Sequence, residues 1–257
     1  AWVIQADAMD RDFLGMTWLK SQVQAVNPFL ILVLIPTFAY VLYPLIGKFW
    51  AMTPLRKIGI GLFMTAGAFA LSGWIETGIV AATPDALAAL TAVAPDIITS
   101  DMSLAEAIRA ITDPDLGVGW TDEQVSTAMA NVGMPSIGWQ FLAYLVLTAA
   151  EVMVSITSLE FAYTQAPKKM KSFIMGIYFL GVSLGNLFTS GVNFFIQNDD
   201  GSVKLAGADY YWFFTLVMLV TSVIYIFFAI FYRGRTFIQG DDGELEAEAE
   251  AEAIGNT

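Results

Sequence analysis

Residues 138–172 read GWQFLAYLVLTAAEVMVSITSLEFAYTQAPKKMKS. From Gly138 to Tyr163 there is no Lys or Arg, and only two acids, Glu151 and Glu160, interrupt the apolar run. A bilayer crossing takes about 20 such residues. The run then ends in Lys168, Lys169 and Lys171, as a cytoplasmic end does. Four other stretches have the same character, giving five expected spans at 24–46, 57–81, 138–163, 173–197 and 210–232. The chain of 257 residues is 56% hydrophobic and only 14% charged, with a mean hydropathy of +0.62. Soluble domains carry about a quarter charged residues. An all-α integral membrane protein of several spans follows.

The basic residues set the orientation. Lys48, Arg56 and Lys57 lie between the first two spans, Lys168, Lys169 and Lys171 between the third and fourth, and Arg233 and Arg235 after the fifth. These are eight of the twelve Lys and Arg, all in alternate connections. The positive-inside rule places those connections in the cytoplasm and the others outside, including the Asn198-Asp199-Asp200-Gly201 turn.

Residues 82–136 form an expected extracytoplasmic insert with eight acids against one base, Arg109. Its helix-start signals are Thr83-Pro84, an N-cap followed by Pro, and two capping boxes, Ser103–Glu106 and Thr121–Gln124. Two or three short helices are expected there. The domain reading is therefore 1–23 as the end of a preceding helix and an outer loop, 24–81 as two spans, 82–136 as the insert, 137–235 as three spans, and 236–257 as a cytoplasmic tail. Seven acids and no base over 241–257 mark the tail as disordered. Ala1 stands where Met would open a chain, so an N-terminal portion is expected to precede it.

Several function classes fall away. Without Cys there are no disulfides, thiolate metal sites or Cys nucleophiles. Without His there is no Ser-His triad and no usual general base or zinc ligand. Gly181-Val182-Ser183-Leu184-Gly185 has the spelling of a nucleophile elbow but lacks the strand and the His that motif needs. A net charge of −12 offers nothing to nucleic acid. No enzyme, metal or cofactor is expected.

The remaining candidates are polar residues inside spans, which insertion costs make functional by default. Glu151 and Glu160 are nine residues apart, so on a regular helix they lie on nearly opposite faces. One stripe carries Tyr144, Thr148, Glu151, Ser155 and Ser158; the other carries Met153, Thr157, Glu160, Tyr163 and Thr164. Span one holds Asn27 and three kinking prolines, Pro28, Pro36 and Pro44. Span four holds Tyr178, Ser183, Asn186 and the close-approach pattern Gly181-x-x-x-Gly185. Glu76 lies near the outer end of span two, in reach of interfacial water.

The run from Glu151 to Ser172, EVMVSITSLEFAYTQAPKKMKS, closely resembles the signature of the proton-coupled oligopeptide transporter family. Gln24-Ala25-Val26-Asn27-Pro28 and Gly185-Asn186 support it. The resemblance covers essentially the whole chain and implies a partial major facilitator fold, the last five of twelve helices, with a small helical insert where animal members carry a larger domain. It implies Glu160 and Asn27 as holders of a peptide's amino end, and Tyr178 where many members have a pocket Trp. Ser183 is a weaker substrate contact, and Glu160 and Glu151 are proton-coupling candidates. The family's coupling motif on the first helix and its carboxylate-binding bases are absent from this stretch.

The resemblance thus implies symport of di- and tripeptides, driven by a proton gradient without a cofactor, by a multi-pass protein of the plasma membrane. Its partners would be small peptides, protons, the lipid bilayer and an N-terminal half. Two alternatives stay open: another solute of the same family, such as nitrate, or a truncated, non-transporting membrane protein.

Overall fold

The computed structural model describes residues 2–99, 101–116, 118–196 and 204–232. The acidic tail, the Asn198–Gly201 turn, Arg233 and Arg235 lie outside the described residues. Helix α1 (Trp2–Asp7) leads into a hairpin of β1 (Asp12–Phe13) and β2 (Met16–Thr17). Five helices are long and apolar enough to cross a membrane: Ser21–Gly47, Pro54–Val93, Ile137–Thr164, Lys171–Ile196 and Ala208–Phe231. The chain is an all-α membrane protein, as its hydropathy requires.

The first span is α2 (Lys20–Thr37), a π turn at Phe38–Leu42, and α3 (Tyr43–Gly47). The π turn has a local cause. Pro44 has no N–H, and its ring would collide with the carbonyl four residues back. The Tyr43 N–H instead bonds the Phe38 carbonyl, five residues back.

The second span, α4 (Pro54–Val93), departs from expectation. Thr83-Pro84 starts no helix. Pro84 lies inside α4, and the Thr83 hydroxyl donates to the Ile79 carbonyl 2.8 Å away. At 1.5 Å per residue α4 is about 60 Å long, twice the hydrocarbon thickness, so its C-terminal part stands clear of the membrane. An interior proline costs roughly 3 kcal/mol. What outweighs it is tertiary: Ile79, Ala86 and Leu90 are buried against Leu104, Ala107, Ile108, Ile111, Val125 and Met129. Each large apolar side chain fully buried contributes about 1.5–3 kcal/mol.

Those partners come from α5 (Leu104–Thr112) and α6 (Asp122–Asn131), both opened by the capping boxes that the sequence shows. The insert is tied to the hairpin. The Arg11 backbone N–H donates to Ser126 Oγ at 2.8 Å, and its buried guanidinium pairs with Asp122 at 2.6 Å.

The third span is α7 (Ile137–Glu151), a second π turn at Val152–Ile156, and α8 (Thr157–Thr164). Phe38 of the first π turn and Val152 and Met153 of the second share one buried cluster, with Ile60 and Met64 of α4 packed on it. Gly61 permits this approach: a Cβ there would lie 2.6 Å from Val154 Cγ2. Helix α10 (Ala208–Phe231) packs along α4. Helix α9 (Lys171–Ile196) buries none of its residues. Its Gly181 and Gly185 meet open space, so the close approach expected of that pattern does not occur among the described residues.

Candidate functional site

The third span, from its Thr148–Glu151 stripe to Ser158, makes polar contacts with two other membrane helices. On one side the buried Thr148 donates its hydroxyl to Asn27 Oδ1 of α2 at 2.6 Å. On the other, Ser158 Oγ and the Tyr178 hydroxyl of α9 are 3.0 Å apart, and the same hydroxyl lies 3.4 Å from the Ser155 carbonyl. Glu151, one turn beyond Thr148, stands exposed on this stripe. An exposed carboxylate one turn from Thr148 can take up a proton or face a cationic amine. Asn27 keeps its NH2 donors and a second oxygen lone pair.

Glu160 is elsewhere. It lines a cleft of about 380 Å³ with Ile35, Phe38, Tyr43, Lys57 and Thr157. There the Lys57 ammonium sits 3.9 Å from the Tyr43 ring centroid. Glu160 is twelve residues beyond Thr148, roughly 18 Å along the helix at 1.5 Å per residue. The expectation that Glu160 and Asn27 hold one amino group together is therefore corrected: Asn27 is level with Glu151. A Glu side chain reaches only a few ångströms from its backbone, far short of that span.

The opposite-face reading of the two acids is corrected as well. Nine residues of α-helix rotate by about 180° net. A π turn takes up one residue more than an α turn, which removes about 100°. Glu151 and Glu160 therefore sit about 80° apart rather than on opposite faces.

Ser183 joins neither cleft; its hydroxyl donates to the Phe179 carbonyl of its own helix at 3.0 Å. Thr148 is already legible from sequence as a member of the Glu151 stripe; its bond to Asn27 is not. Lys57 gives no signal as a site residue, because it reads as one of the cytoplasmic bases. Among the described residues no three His, Cys, Asp or Glu cluster as metal ligands would.

Comparison with known proteins bears on this arrangement. The family model described as the POT family matches residues 1–112 and 118–213. Solute carrier family 15 member 1 of Oryctolagus cuniculus is 35% identical over 115 residues, 45% of this chain and 15% of that protein. Solute carrier family 15 member 3 of Rattus norvegicus is 25% identical over 214 residues, 79% of this chain and 31% of that one. A crystal structure of an auto-inhibited POT family peptide transporter superposes with a TM-score of 0.63 at 26% identity, over 93% of this chain and 38% of its own. The POT family transporter PepTSo gives 0.58 at 27% identity, over 89% and 36%. The chain thus spans between about a seventh and two fifths of these relatives.

Proposed function

The chain belongs to the POT family, and from that membership we propose that it forms most of the C-terminal half of a proton-coupled symporter of di- and tripeptides, working by alternating access in the plasma membrane. The observation that carries the reading is a pair of interhelical polar contacts, Thr148 to Asn27 and Ser158 to Tyr178, with the exposed Glu151 one turn beyond Thr148. Transporter sites of this kind lie near the bilayer midplane between two repeats.

Glu151 is assigned as the counter-charge of the peptide's α-amino group, with Asn27 supplying a second acceptor from α2. A cationic amine entering a cavity of low dielectric needs both. Glu151 also serves as a proton acceptor when the amine leaves. Glu160 keeps a proton-coupling role at its cleft with Lys57, nearer the cytoplasmic bases. Tyr178 closes the wall on the α9 side. Ser183 is not assigned a substrate contact.

The N-terminal half is a proposed partner. Its support is α9, a 26-residue apolar helix with no fully buried residue, whose Gly181 and Gly185 have no neighbour within 4 Å. A membrane helix with unpacked small residues is built to receive another helix.

The test is Glu151→Gln beside Glu160→Gln in the assembled transporter, with binding of free-amine and N-acetylated dipeptides measured for each. Glu151→Gln should weaken free-amine peptides by about 1.5–3 kcal/mol, the worth of a charged hydrogen bond, and leave acetylated ones nearly unchanged. Glu160→Gln should leave affinity in place and reduce proton-driven uptake. A larger affinity loss from Glu160 than from Glu151 would overturn the assignment.

A further inference from the structure

A second cavity, of about 860 Å³, opens between the insert and the outer ends of the membrane helices. Its walls come from α4 (Glu76, Val80, Thr83), α5 (Ala105), the segment before α10 (Gly207) and α10 itself (Tyr210). Glu76 lies 22 residues into α4, about 33 Å from its cytoplasmic end. That places its carboxylate at the outer edge of a hydrocarbon layer about 30 Å thick. No part of the polar stripe around Glu151 belongs to this cavity.

The carboxylate is held but not neutralised. Gln5 Nε2 donates to Glu76 Oε2 at 2.8 Å and to the Ser72 carbonyl at 3.1 Å, while Gln5 Oε1 accepts from the buried Gln140 at 3.3 Å. Both amide protons of Gln5 are thereby used, and its NH2 fixes Glu76 in one orientation. The other oxygen, Oε1, lies 4.0 Å from where a Cβ on Gly207 would stand. Gly207 adopts φ +57°, and that Cβ would also meet Val80 Cγ2 at 3.3 Å, so glycine lets this segment close over the acid. Among the described residues no cation pairs with Glu76. Lys204, just before the lining segment, donates instead to the Phe195 carbonyl at 3.2 Å.

A mostly apolar cavity of this size with one fixed, unpaired carboxylate and aromatic walls has the form of a small-molecule pocket. Its charge selects a cation, and the tyrosine rings add to that preference. We propose that this cavity is a binding site for an organic cation with an apolar body, such as an aryl-alkyl amine, with Glu76 Oε1 as the counter-charge. It is separate from the peptide site and does not depend on which solute the transporter carries.

The probe is a benzophenone-bearing alkylamine with its neutral alcohol analogue, used to photolabel the assembled transporter in nanodiscs, with adducts mapped by mass spectrometry. The amine should label the α4, α5 and α10 segments saturably and at least tenfold better than the alcohol. Glu76→Gln should remove that preference. Because Glu76 also anchors Gln5, a second variant tests the cavity alone: Ala105→Trp, on the exposed face of the insert, should cut amine labelling at least tenfold with Glu76 intact. Labelling by the alcohol equal to that by the amine would mean hydrophobic partition only and overturn the proposal. So would undiminished amine labelling in Glu76→Gln, or adducts mapping to the Glu151 stripe.

Discussion

Gly61→Ala tests how the second π turn is held. The added Cβ would stand 2.6 Å from Val154 Cγ2 and 3.1 Å from both the Ala150 carbonyl oxygen and Met153 Cβ. Carbon atoms rest at about 3.5–4.0 Å, so the Val154 contact is short by about 1 Å. Val154 could move alone, but the Ala150 oxygen moves only with its helix. Overpacking of this kind costs about 1–3 kcal/mol. Alanine returns up to about 1 kcal/mol through helix propensity. The net expectation is a loss of about 1–2 kcal/mol, together with reduced transport, because Val154 lies in the π turn that sets Glu151 against Glu160. Reversible unfolding in mixed micelles supplies the first readout and proteoliposome uptake the second. Val154→Ala removes the tightest contact, so the double variant should recover much of the loss, with a coupling of about 1 kcal/mol in a double-mutant cycle. A Gly61→Ala protein as stable as the parent, or strictly additive single effects, would refute the packing argument.

Thr148→Val leaves Asn27 Oδ1 without its donor and should destabilise by about 1–2 kcal/mol, read in the same unfolding assay. Asp122→Ala strands the buried Arg11 guanidinium and should cost ~3 kcal/mol or more. Arg11→Met leaves only a half-exposed carboxylate and should cost less; hydrogen exchange across α6 separates the two, and equal effects would count against the buried-charge argument. Glu106 has its carboxyl held below the ordinary range, first by the Ser103 hydroxyl and then by the Ser103 backbone N–H. A depressed folded value means the cap's contribution is present above the unfolded pKa and lost as pH falls through the folded one. Exchange of the α5 amides should therefore rise on acidification below about pH 4, and Glu106→Gln should flatten that rise. In this Cys-free chain, single cysteines at Ser103 and Lys48 should label from opposite faces of the membrane; labelling from one face would contradict the alternating-charge orientation.

What the sequence determined by itself is what depends on composition or on neighbours within a turn. The five spans follow from apolar length, and the starts of α5 and α6 from Ser103–Glu106 and Thr121–Gln124, whose partners are three residues apart. Membership of the family was equally legible in the run from Glu151 to Ser172. Only the tertiary structure put Asn27 against Thr148, roughly 18 Å along the helix from Glu160. It also set the phase between the two acids, through one residue absorbed by a π turn, a backbone change that leaves no periodic mark in the side chains and shifts the helix phase by about 100°. That turn is packed against Phe38 and against Gly61, each far away in the chain. The passage of α4 through Pro84 has the same origin: a local break signal is outweighed by Leu90 and Ala86 buried against an insert whose helices begin more than a dozen residues later. Glu76 reads from sequence as an acid near interfacial water. Its orientation comes from Gln5, 71 positions earlier in the chain, and hydrogen bonds over that separation are set by how helices pack, not by the residues beside them.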